Sequence, residues 1–102
     1  MASRSAVISV GVTSSAVIRA AAGTYYGLTL RESAGAPAAA VIRVYDNATT
    51  NSGTILETVY LAASQSVSLQ YSVEDCSGGI RAVNGVYFQL VSGTVEGSIR
   101  VS

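Results

Sequence analysis

The chain has 102 residues, 49% of them apolar and 12% charged, and its six arginines balance six carboxylates with no lysine and no histidine. This is the length of one domain, with enough apolar material for a core, and it carries far less charge than the roughly 25% of ordinary soluble domains. These features exclude a disordered chain and a Cys–His nucleophile pair; the scatter of Arg4, Arg19, Arg31, Arg43, Arg81 and Arg100 excludes a basic nucleic-acid footprint.

In chain order, residues 1–5 read as a short loose arm without the long apolar stretch of a signal peptide. No apolar run reaches the ~18 residues of a membrane span. From Ala6 to Val12 the pattern has period two, with Ala6, Ile8, Val10 and Val12 on one side and Val7, Ser9 and Gly11 on the other. A second strand over 15–20 sets Ala16, Ile18 and Ala20 against Val17 and Arg19. The strand over 24–32 is expected to turn Tyr26, Leu28 and Leu30 inward and Tyr25, Gly27, Thr29 and Arg31 outward. A loop with Pro37 follows, since proline opens a strand but does not continue one.

The next two strands, 38–45 and 54–61, are apolar on both sides. In the first, Val41 and Tyr45 flank Arg43 and oppose Ile42 and Val44; in the second, Leu56 and Tyr60 oppose Ile55, Val59 and Leu61. The polar loop 46–53 between them is rich in Asn, Ser and Gly. Residues 65–71 alternate without exception, and 72–79 form a polar loop containing the single cysteine, Cys76. Beyond it, Asn84-Gly85 and Ser92-Gly93 read as two-residue hairpin turns. They predict an antiparallel meander over 79–102, whose last strand keeps Glu96, Ser98 and Arg100 on a wet face.

Eight or nine short strands with no helix predict an all-β fold, an antiparallel two-sheet β-sandwich in one domain spanning 1–102. Periodicity leaves jelly-roll and Ig-like connectivity equally open. No catalytic constellation accompanies this pattern. One cysteine and no histidine give a poor zinc set, and neither Asp46, Asn47 and Asn51 nor Glu74 and Asp75 have the spacing of a calcium loop. Glu32, Glu57 and Glu96 are expected on outer faces, pairing with Arg31, Arg43 or Arg100 across strands. The chain is therefore read as non-enzymatic, with no cofactor, metal or small-molecule substrate.

The remaining signal is a surface. Little charge and zero net charge point to a face normally covered by a partner, with a sparsely charged monomer as the alternative. Tyrosine and arginine are the side chains interfaces favour. The candidate contact residues are Val7 and Ile8 on the first strand, Tyr25, Arg43, Tyr45, Leu56, Tyr60 and Tyr87. Residues 1–12 are a candidate arm for pairing with a neighbour's sheet edge.

The stretches Gly23-Thr24-Tyr25-Tyr26-Gly27-Leu28-Thr29-Leu30-Arg31-Glu32, Ile42-Arg43-Val44-Tyr45-Asp46-Asn47, Asn84-Gly85-Val86-Tyr87 and 93–101 together resemble small all-β virion proteins of tailed bacteriophages, of the capsid decoration (cement) type. The likeness runs from about residue 5 to the end and rests on strand and turn patterns. It implies a structural role without enzyme activity, made in the host cytoplasm and placed on the virion's capsid surface. It also implies the major capsid protein as partner and a homo-oligomer, with a trimer favoured. The rival reading is a phage tail or fibre module that recognises a host surface glycan on a platform of tyrosines.

Overall fold

A computed structural model describes residues 7–71 and 79–102. The arm at 1–5, Cys76, Glu74 and Asp75 lie outside the described residues. Among the described residues nine strands follow in order: β1 Ile8–Val12, β2 Ala16–Arg19, β3 Gly23–Glu32, β4 Ala40–Asp46, β5 Thr54–Leu61, β6 Ser66–Gln70, β7 Ile80–Ala82, β8 Val86–Ser92 and β9 Val95–Val101. They form two antiparallel sheets, the β-sandwich expected from the alternation. The first sheet has the order β1-β9-β3-β6, with β7 also paired to β3; the second has the order β2-β8-β4-β5.

The pairings β1–β9, β2–β8, β3–β6 and β4–β5 nest inside one another. A long antiparallel ribbon that coils once around a core produces this order, which is the jelly-roll connectivity. Topology thus separates two folds that periodicity could not. It also corrects the meander. β7 pairs with β3, β8 lies in the second sheet between β2 and β4, and β9 returns to the first sheet between β1 and β3. The segments around Gly85 and Gly93 are arches between sheets, not hairpins. Glycine serves both uses, because either needs a tight chain reversal. At Gly93, with φ +87°, any side chain would also press on Ala40.

The core fills the gap between the sheets. Tyr25, Leu28, Leu30 and Ile99 of the first sheet meet Ile42, Val44, Leu61, Val86 and Phe88 of the second, all below 2% exposed. Truncating an aromatic such as Phe88 to alanine in such a core costs about 3–5 kcal/mol. The polar ends of the sandwich are tied by carboxylates. Asp46, at the end of β4, accepts the backbone N–H groups of Val83 (3.1 Å), Asn84 (2.7 Å) and Gly85 (3.3 Å), which pins the β7–β8 arch. Glu32, at the end of β3, accepts the N–H of Ala34 (2.7 Å) and of Ser64 (2.8 Å). The Ser64 and Ala34 amides hold its carboxyl below the usual carboxylate range.

Four register shifts interrupt the ladders: one in β2 leaves Ile18 unpaired between Val17 and Arg19, and the other three fall in β3, β5 and β8. In β3 the register shifts between Tyr25 and Gly27, so Tyr25 faces Val101 while Leu28 faces Ile99. Strict alternation placed Tyr25 outside with Thr29; the extra residue puts it inside with Leu28 and Leu30. In β5 the shift falls opposite Val44 and Tyr45 and leaves Leu56 as the unpaired residue. Leu56 consequently packs against the core, and its neighbour Ile55 is exposed. In β8 the shift falls at Val91, opposite the step from Val41 to Ile42.

Gly27 makes the β3 bulge possible. Its φ is +119°, and a Cβ there would run into the carbonyl oxygen of Leu69 on the paired β6. Gly27→Ala should therefore destabilise the fold by more than about 1 kcal/mol. Thermal unfolding should show this as a melting temperature lower by about 4–8 °C or more; an unchanged melting temperature would contradict the bulge as described.

Candidate functional site

The two sheets present very different faces to the outside. On the first, β9, β3 and β6 line up polar side chains that satisfy one another. Arg31 Nε donates to Glu96 Oε2 at 2.6 Å, the hydroxyls of Thr29 and Ser68 bond at 3.1 Å, and Arg100 spans β3 to donate to Thr29 Oγ1 (3.1 Å) and the Leu69 carbonyl (2.6 Å). The expectation that Glu96 pairs with an arginine on the outer face holds. Glu32 and Glu57 depart from it: Glu32 binds backbone amides, and Glu57 turns inward.

Glu57 is carried by the edge strand of the second sheet and bridges to the first. It accepts from Tyr25 Oη at 2.9 Å, and Tyr71 Oη lies 2.8 Å from both of its carboxylate oxygens. The two rings meet at 5.9 Å between centroids, tilted by 55°. Tyr25, expected in the contact surface, is 0% exposed and belongs to this internal bridge. A carboxylate flanked by two phenols holds both in their protonated form. Burial, then Glu57, pushes the Tyr25 hydroxyl far above its ordinary value, and burial with the Glu57 hydrogen bond pushes Tyr71 up to about 12.

The outer face of the second sheet has the opposite character. Cross-strand pairing lines up Val17 (β2), Tyr87 (β8), Tyr45 (β4) and Ile55 (β5) in one row. A parallel row sets Val41 of β4 against Tyr60 of β5, beside Val91 and Ser92 of β8. Between these apolar rows, Arg43 of β4 lies opposite Gln89 on one side and Thr58 on the other. Arg43 Nε and Gln89 Oε1 are both cut off from solvent and have no hydrogen-bond partner among the described residues. Each described carboxylate is engaged elsewhere: Glu32 and Asp46 by amides, Glu57 by tyrosines and Glu96 by Arg31. Among the described residues, none is committed to Arg43.

Of the eight residues singled out from the sequence, this face gathers Arg43, Tyr45, Tyr60 and Tyr87. Tyr60 stands 71% exposed, whereas Tyr45 is 7% exposed: its ring lies on the outer surface but is covered by its row, so it supports the face and offers little contact area. Val7 and Ile8 are exposed at the start of β1, on the other sheet. Leu56 and Tyr25 leave the surface because of the bulges. Residues 8–12 pair with β9 as the edge strand of their own sheet, and residues 1–6 of the candidate arm lie outside the described residues.

Val17, Ile55 and Gln89 were missed. For Val17 the signal was present, since it alternates in the sequence with Ala16 and Ile18, and Ile18 packs against the core. For Ile55 the bulge hid it, and Gln89 gains meaning only from its cross-strand neighbour. No family model, curated protein or solved structure matches the chain.

The Glu57 bridge yields a pH dependence. Free tyrosine ionises near pH 10, so above that value the unfolded chain loses protons that folded Tyr25 and Tyr71 keep. Their contribution to stability is complete below about pH 10 and is lost as pH rises through the folded values. The denaturant midpoint should fall between about pH 10 and 12, and Tyr71→Phe should flatten the fall. The phenolate absorbance gained by about pH 11 should match in wild type and Tyr71→Phe; a clear loss in the variant would contradict the bridge.

Proposed function

We propose that this chain is a non-enzymatic structural protein that docks through the outer face of its second sheet, and that its setting is the capsid surface of a tailed phage, as a decoration protein. The carrying observation is the contrast between the faces. One is polar and internally paired; the other is built of Val17, Ile55, Tyr60, Tyr87 and Val91 around an arginine and a glutamine with buried, unpaired atoms. Contiguous apolar surface of this kind marks interaction sites. Tyrosine and arginine anchors within it are the residues on which binding energy concentrates.

The capsid setting draws on the strand and turn resemblance and on the jelly-roll, a fold that recurs in viral capsid domains and also in lectins. A protein that binds only the assembled lattice stabilises it by mass action, which needs a flat adhesive face and no chemistry. Among the described residues the edge strand β5 pairs with β4 alone, and an unpaired strand edge is a site where a neighbouring copy would add in the homo-oligomer, a trimer, that the resemblance implies. The glycan-recognition reading is weakened by the burial of Tyr25 and Tyr45, which reduces its platform to Tyr60 and Tyr87.

Phage particles purified from the source cells should contain the chain in a fixed ratio to the major capsid protein. Deleting its gene should leave particles that assemble but lose their shells at lower temperature. Absence of the chain from particles, or selective binding of the purified protein on a glycan array, would overturn the proposal.

A further inference from the structure

Arg43 sits at the centre of the second sheet's outer face, in a strand flanked on both sides, with apolar rows above and below it. A partner that covered this face with purely apolar groups would strip water from the guanidinium and leave a buried unpaired charge, a heavily disfavoured arrangement. A second copy docked face to face about a two-fold axis through Arg43 would set Arg43 against Arg43, and about an axis elsewhere in the patch would set it against another residue of the same patch, since in such an interface residue i meets residue j and j meets i. No described carboxylate of this face offsets that repulsion, because the four described acids lie elsewhere and are engaged.

We propose that the occupant of this face is a different protein, and that it inserts a carboxylate from an apolar surround onto Arg43. The guanidinium offers a planar fork of donors suited to bidentate capture of a carboxylate, and the apolar rows exclude water around the pair. Arg43 fixes the register of docking, and Val17, Ile55, Tyr60 and Val91 supply the buried area. This names the partner chemistry of the interface proposed above and rests on that interface, but not on the partner being a capsid protein.

The chain contains no lysine, so Arg43→Lys introduces its one side-chain amine and retains the charge. Source cells carrying this variant in place of the natural gene are treated with a carbodiimide, which joins an amine directly to a carboxylate in contact with it, and the joined peptides are sequenced. The expected result is a peptide containing position 43 linked to an aspartate or glutamate of a different protein, with Arg81→Lys on β7 giving no such link. A link to another copy of this chain, or none while the protein is bound in its assembly, would overturn the proposal. A link to a protein that is not a capsid subunit would support it and overturn the capsid setting, so the two failures are distinguishable. Arg43→Met provides the second readout. The isolated variant should melt no lower than wild type, since the free chain gives Arg43 Nε no partner, while affinity for the linked protein should fall by roughly 30-fold or more. Unchanged affinity would overturn the proposal.

Discussion

The gap between two packed sheets, about 10 Å wide, admits one face of each strand and closes the other face out. In this chain the inner faces are saturated with apolar side chains: Tyr25, Leu28, Leu30 and Ile99 from one sheet, Ile42, Val44, Val86 and Phe88 from the other. Polar groups reach the margins of the gap only with partners in place. Glu57 is held by two phenols, Glu32 by two amides and Asp46 by three. Once the inner faces are full, every further apolar residue on a strand must go outside. The first sheet has few to place there. The second has enough to tile its outer surface.

That asymmetry links fold to function. A jelly-roll needs only one dry face per sheet, and alternation on β6 and β9 delivers one dry and one wet face. β4, β5 and β8 carry Val41, Tyr45, Ile55, Tyr60, Tyr87 and Val91 on the side the core does not use. Apart from Tyr45, which is 7% exposed, they leave much of their apolar surface outside the fold's own packing. Arg43 and Gln89 make the point sharper, because each keeps a buried polar atom unpaired in the isolated chain, an arrangement that carries a desolvation cost of about 1–3 kcal/mol per group.

Strand positions were legible in the sequence almost to the residue, since runs of β-branched and aromatic residues end at Gly, Pro, Asn and Ser clusters. The inward set of β6, Val67 and Leu69, and of β9, Val95, Ile99 and Val101, followed directly from alternation. What alternation could not carry was a change of phase within a strand. One extra residue at Tyr26-Gly27 moved Tyr25 into the core, and another at Leu56 exchanged it with Ile55. Nor could local turn chemistry distinguish a hairpin from an arch. Asn84-Gly85 reverses the chain in either case, and long-range pairing of β8 with β2 and β4 decided the outcome. The functional face suffered most. It is assembled from β2, β4, β5 and β8, so its rows exist only once the ribbon has coiled.

The most direct measurement is an electron-microscopy map of the native assembly, at a resolution that shows side chains. The outer face of the second sheet should be covered, with a partner's density in contact with Arg43 and Tyr60, while Arg31, Glu96 and Arg100 of the first sheet look into solvent. A map in which the first sheet makes the contact and Arg43 faces open water would contradict the docking role of the second sheet.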